Sequence, residues 1–164
     1  MMDFTENHNP TPTSPLFSLS LRRGSCLLLV RVAVGVGFLA HGLAKYSRGP
    51  AKFANLLRYI GAPFPVPTAW AVTLLEIFGG LAILAGAFVA IVALPLIATM
   101  LVATLTIHVH YGFSSVNTIG VTSAGPMFGP PGYEINVLYI AALLALSISG
   151  PTLASVDGWR ARLR

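Results

Sequence analysis

The sequence predicts an all-α fold, a four-transmembrane-helix bundle with a short interfacial amphipathic helix between helices one and two, and three observations carry this expectation. Hydrophobic residues make up 55% of the 164 and charged residues only 9%, against about 25% charged in soluble domains. From Ala69 to Ile107 there are 39 residues with a single formal charge, Glu76. At about 1.5 Å per residue that run is about 58 Å long, close to twice a hydrocarbon core of about 30 Å, so it is read as two crossings. Two more apolar segments, Gly24–Ala44 and Tyr133–Ser149, flank it.

The elements follow in order. Residues 1–20 are rich in Pro, Ser, Thr and Asn, too polar to offset their ordering entropy, and are expected to form a disordered N-terminal tail. Arg22 and Arg23 then introduce Gly24–Ala44, superficially a signal peptide. Arg31 inside that segment, and the lack of a small-residue cleavage site before Lys45, make it a retained first helix instead. Between Lys45 and Pro67, Phe53, Leu56, Leu57 and Ile60 fall at i, i+3, i+4, i+7, with Lys52, Asn55 and Arg58 opposite. That is the pattern of a helix lying in the interface. The prolines of Gly61–Pro67 end it, and the second span is expected from about Thr68 to Gly86.

A tight turn at Gly86 makes the second and third helices antiparallel neighbours, the third running from about Phe88 to His110 with Pro95 inside it. Residues 111–132 are rich in Gly, Pro and Ser and carry no charge, which predicts a loop folded back over one end of the bundle. The fourth helix covers Tyr133 to about Ser149 and stops at Gly150-Pro151. The membrane domain is thus 21–157, followed by a basic C-terminal tail at 158–164.

This organisation leaves no room for a soluble catalytic domain, so chemistry has to occur in the membrane or on a partner. The net charge of +5 comes from residues at span ends, where they suit lipid head groups and topology rather than nucleic acid. One cysteine, Cys26, excludes thiol–disulfide exchange within the chain. Four crossings put both termini on one side, where Arg22, Arg23, Arg160, Arg162 and Arg164 face Lys45, Arg48, Lys52 and Arg58 across the membrane. We expect both termini to be cytoplasmic.

Arg31, Gly35, Phe38, Gly42 and Lys45 form one stripe on the first helix, and Glu76, Gly79 and Gly80 form another on the second; small residues let two backbones approach. Arg31 lies about 21 Å below Lys45, and Glu76 about 12 Å below Thr68. The offset of about 9 Å predicts an Arg31–Glu76 ion pair near the midplane, serving either to fix helix packing or to relay protons. Chain direction gathers His41, Lys45, His108, Glu134 and Asn136 at one end. The expected site is a pocket of Glu76, His41, His108 and Glu134, rimmed by Lys45 and Asn136, under the 111–132 loop. Each also has a plainer reading, such as carbonyl satisfaction by His41 and Lys45 or a favourable dipole at Glu134. No metal is assigned, because His108 and His110 have no cysteine beside them and splay on a helix. Haem is argued against by the missing Cys-x-x-Cys-His.

The string Arg31 … Gly-Phe-Leu-Ala-His41-Gly42-Leu-Ala-Lys45, Leu-Leu-Glu76-Ile-Phe-Gly79-Gly80, Thr-Ile-His108, Gly132-Tyr133-Glu134-Ile-Asn136 and Ser149-Gly150-Pro151 … Ser155-Val156-Asp157 resembles the DoxX family of small four-helix membrane proteins over about residues 24–157. The resemblance implies a bacterial or archaeal plasma (inner) membrane protein linked to redox and sulfur metabolism. Relatives include the membrane subunit of an archaeal thiosulfate:quinone oxidoreductase, and others join an assembly with superoxide dismutase and a sulfurtransferase. A quinone is the cofactor to consider, and redox proteins, the bilayer and further copies of the chain are the partners. The connection between helices two and three usually carries a basic residue in relatives, whereas Gly86-Ala87-Phe88 has none. The competing function is a non-enzymatic anchor or scaffold for soluble partners.

Overall fold

The computed structural model describes residues 15–152 and 154–163, with side chains from residue 26 onward. Its helices are α1 (Pro15–Arg48), α2 (Pro50–Tyr59), α3 (Pro65–Ala85), α4 (Val89–Thr106), α5 (Glu134–Ile148) and α6 (Val156–Arg162). A 3-10 turn at His108–Tyr111 and an antiparallel hairpin, β1 (Thr118–Thr122) with β2 (Gly125–Phe128), lie between α4 and α5. Three helical stretches are long and apolar enough to cross a membrane: Cys26–Arg48, α3 and α4. At 15 residues α5 is shorter, although it runs alongside α4 from Asn136, which reaches the Met100 carbonyl, to Ser147, which shares a cavity with Val89 and Ala90.

The expected boundaries shift in three places. Residues 1–14 of the expected tail lie outside the described residues, but the helix already begins at Pro15, where a proline suits the first turn because its missing N–H is not needed there. The third span ends at Thr106, and the polar stretch beyond it tightens into the 3-10 turn. The 158–164 tail instead belongs largely to α6, nucleated by the Ser155 hydroxyl, which accepts the Gly158 N–H at 3.0 Å.

Helix α1 packs on α3 along the two stripes. Residues Arg31, Gly35, Phe38 and Gly42 are buried on the α1 face, as are Glu76, Gly79 and Gly80 on α3. A Cβ on Gly80 would stand 2.7 Å from the Leu39 backbone nitrogen and 2.8 Å from the Gly35 carbonyl oxygen, and one on Gly42 2.8 Å from the Ile77 nitrogen. The two backbones are therefore in direct contact, an approach that only glycine permits. The order is antiparallel, with Gly42 against Ile77 and Gly35 against Leu84. Phe38, Ile83, Leu96 and Leu143 fill the centre, joining all four long helices, and Phe38 meets Tyr139 edge-on at 5.1 Å.

Helix α2 uses its predicted face only in part. Leu57 is buried and Phe53 and Ile60 are half-buried, while Leu56 faces outward and Ala54 takes the buried position in its place. It packs on the first turns of α3 at Ala69. The start of α3 therefore extends past the end of α1, and this extension fixes which charges can meet. Outward positions on α4 such as Ile91, Leu94, Val102 and Leu105 are exposed and apolar, as a lipid-facing helix requires.

Gly80→Ala should destabilise the fold by about 1–3 kcal/mol, because the methyl group meets two backbone atoms that cannot yield. Gly120→Ala, with open space around it, should leave the thermal unfolding midpoint in detergent within a degree or so of the parent. Equal midpoints for the two variants would contradict the backbone contact.

Candidate functional site

The two buried charges lie far apart, Glu76 near the middle of α3 and Arg31 beside the turn that follows α3. Glu76 is 2% exposed and both carboxylate oxygens accept from Lys45 Nζ, the ion pair found among the described residues. The Lys45 side chain is 26% exposed, so one end of the pair reaches the surface while the other is sealed. Its ammonium also lies 4.9 Å from the centre of the Phe53 ring, which ties α1, α2 and α3 at one point. Below it, Thr73 turns its hydroxyl back to the Ala69 carbonyl at 2.7 Å.

Arg31 does not meet Glu76, which corrects the predicted pair. Its Nη1 donates to Thr152 Oγ1 at 2.6 Å and its Nη2 to the Ala154 carbonyl, and the guanidinium lies against Gly86. Gly86 is ten residues from Glu76 along α3, about 15 Å. The expected offset was too small because it set Lys45 level with Thr68. With α2 wedged against the first turns of α3, Lys45 stands level with Glu76 instead, and Arg31 is carried down to the α3–α4 turn.

That turn is closed by the C-terminal segment. Gly86 adopts a left-handed conformation (φ 65°) that a Cβ would strain, and it leaves no room for one beside Arg31. Phe88 is also left-handed (φ 52°), unusual for a residue with a side chain. The Asp157 carboxylate accepts Phe88 N–H at 3.0 Å and Val89 N–H at 3.1 Å, and the Asp157 N–H donates to the Gly86 carbonyl at 3.0 Å. An acid from the far end of the chain thus caps α4, and Arg160 covers the Phe88 ring at 4.6 Å.

The four-residue pocket does not assemble. His41 is exposed on the outer face of α1. His108 donates from Nδ1 to the Pro131 carbonyl at 2.9 Å, which requires a proton on Nδ1 because a carbonyl oxygen only accepts. Glu134 accepts the Ser115 N–H at 2.9 Å, and its own N–H donates to the Phe113 carbonyl. Asn136 is buried between α4 and α5 rather than on a rim, with Nδ2 3.4 Å from the Met100 carbonyl. No hydrogen bond or ion pair among the described residues joins His41, Glu76, His108 and Glu134 to one another.

Nor does the 111–132 loop form a lid. Its base is tied by Gly132 N–H to the Ser114 carbonyl and Tyr133 N–H to the Gly112 carbonyl, while its middle forms the hairpin. Ile119, Val121 and Phe128 are exposed there. Among the described residues no group of three His, Cys, Asp or Glu side chains is placed to hold a metal ion. Sequence reasoning missed Thr152, Ala154 and Asp157 as partners of α1 and α4; the one available signal was the Ser155-Val156-Asp157 string.

The family model described as DoxX matches residues 26–109, from α1 through the first residues of the 3-10 turn. That range holds the Arg31, Lys45, Glu76 and Gly86 positions, and the C-terminal segment lies beyond it. No curated protein and no solved structure matches the chain.

Lys45→Met should destabilise the protein by about 3–5 kcal/mol by stranding Glu76 as an unpaired buried charge. The double variant Lys45→Met/Glu76→Leu should recover most of that loss, read from thermal midpoints in a double-mutant cycle; additive losses would mean that the two side chains are not coupled. Asp157→Ala should cost about 1–2 kcal/mol, in the range of a lost helix cap, and should raise hydrogen exchange at Phe88 and Val89 before the rest of α4.

Proposed function

The chain belongs to the DoxX family, and on that premise we propose that this integral membrane protein is a subunit of a redox assembly rather than an autonomous enzyme. In this reading α5 is the fourth crossing, the membrane is a bacterial or archaeal plasma membrane, and both termini are cytoplasmic. The observation that carries the chemistry is the Lys45–Glu76 pair, an acid sealed inside the bundle and joined to an ammonium that reaches the surface. Such a pair can exchange protons with water at one end while keeping its charge fixed at the other.

Reduction of a quinone to a quinol takes two electrons and two protons. With electrons from a protein partner, a bound quinone would take up its two protons in turn from the Lys45 ammonium, which would be reloaded from the aqueous side after each transfer. Glu76 holds the ammonium in place and stabilises its charge. His108 and the exposed His41 are the further proton-exchanging groups. Glu134 contributes by holding the loop base.

A scaffold is the second reading, favoured by the engagement of Asp157, Glu134, His108 and Arg31 in bonds that hold backbone segments together. The two readings separate at Glu76. In the redox reading, Glu76→Gln lowers quinone-dependent turnover of the isolated assembly by at least tenfold, with partner recovery unchanged. In the scaffold reading turnover follows partner recovery, and truncation after residue 157 reduces both. Full turnover in a folded Glu76→Gln protein would dismiss the proton-exchange role.

A further inference from the structure

Beside the α3–α4 turn, a cavity of about 190 Å³ lies between α4, α5 and the segment leading into α6. It is far larger than the about 10–15 Å³ that one water requires. Arg31, Val89, Ser147, Thr152, Ser155 and Asp157 are among its walls. Arg31 is 4% exposed, yet its two hydrogen bonds go to neutral oxygens, and no carboxylate among the described residues forms an ion pair with it. A guanidinium has five N–H donors. Here Nε is buried with no partner.

Arg31 is the one cation in the wall, where the C-terminal ends of α3 and α5 also come close at Gly86 and Ser147. The positive end of α4 opens on the cavity at Val89 and Ala90. Asp157 is the one acid in the wall, and each of its oxygens already accepts an N–H of that helix end. Thr152 Oγ1 accepts from Arg31, and its own O–H has no acceptor among the described residues. A bound anion can therefore take a proton donor from Thr152 as well as from the guanidinium. The neighbouring α6 exposes Trp159 and Leu163 beside Arg160 and Arg162, a composition suited to the head-group layer.

We propose that this cavity binds a phosphate-class oxyanion, with Arg31 as its cationic ligand and Thr152 as a hydroxyl donor. The anion is carried by a phospholipid head group or is free in solution. It supplies the counter-charge that the protein does not place beside a buried guanidinium, whereas Lys45 has its own in Glu76. The site stands apart from the proton-exchange reading, since it lies about 15 Å away along α3.

The test uses the full chain in maltoside detergent at constant ionic strength. Thermal midpoints are recorded with inorganic phosphate, with phosphatidylglycerol, and with a diacylglycerol bearing the same acyl chains. A rise of several degrees with phosphatidylglycerol but not with diacylglycerol identifies a lipid-borne phosphate, and a rise with inorganic phosphate identifies a free anion. Ala90→Phe, which adds bulk at an exposed position in the cavity wall, should keep the ligand-free midpoint and abolish the response. Arg31→Gln, if it folds, should lower the ligand-free midpoint and abolish the response. No rise with either phosphate source, a rise matched by diacylglycerol, or an undiminished response in Ala90→Phe would overturn the proposal, without bearing on the Glu76→Gln result.

Discussion

Everything in this bundle is registered by the contact between the α1 and α3 backbones. With Gly35, Gly42 and Gly80 in direct apposition, neither helix can slide without driving a Cβ or a carbonyl into the other. That single constraint decides which charges share a level. It brings Lys45 to Glu76 and Arg31 to the α3–α4 turn, and no electrostatic preference of the side chains could override it, because the overlap of two backbones costs more than a redirected side chain.

Once the register is fixed, the two buried charges need different solutions. Glu76 lies on α3 where a flexible lysine on α1 can lean in from the surface, so the pair forms between spans. Arg31 lies where the adjacent backbone has just turned at Gly86, and the acceptors it finds there belong to the C-terminal segment. Thr152 and Ala154 take two of its donors, and Asp157 then binds the freed N–H groups of α4. The segment after α5 is therefore part of the fold rather than an appendage, and its order couples the first crossing to the third.

Three of the spans, the glycine stripes, the Gly86 turn and much of α2 were legible in the sequence because each leaves a local mark: a long apolar run, a periodicity, a proline. The ion pair was not. Its prediction needed the relative height of two helices, and periodicity is silent on how far α3 starts beyond α1. Phe53, Leu57 and Ile60 marked α2 as amphipathic without saying that it would pack on Ala69 and lift the start of α3. The hairpin escaped notice because Gly120, Gly125 and Pro126 break the alternation that identifies a strand. Helix α6 was hidden by its seven residues, too few to display a period. Chain direction led to the expectation that His41, His108 and Glu134 gather at one end, but sharing an end is weaker than sharing a pocket.

The choice of lysine over arginine as the partner of Glu76 has a chemical consequence. An arginine there would pair bidentately and remain charged at any accessible pH, fixing the acid permanently as a carboxylate. A lysine ammonium can give up a proton when its surroundings change, and its long stem lets the head swing between Glu76 and the surface. Because Phe53 closes one side of the ammonium and Glu76 another, the remaining direction is the one from which water or a docked oxygen atom approaches. Arg31, beside the α3–α4 turn, has the complementary character: it is fixed in charge, held by neutral oxygens and unable to release a proton. The register therefore sorts the two cations by chemistry, with the lysine beside the buried acid and the arginine beside the C-terminal segment that supplies its neutral acceptors.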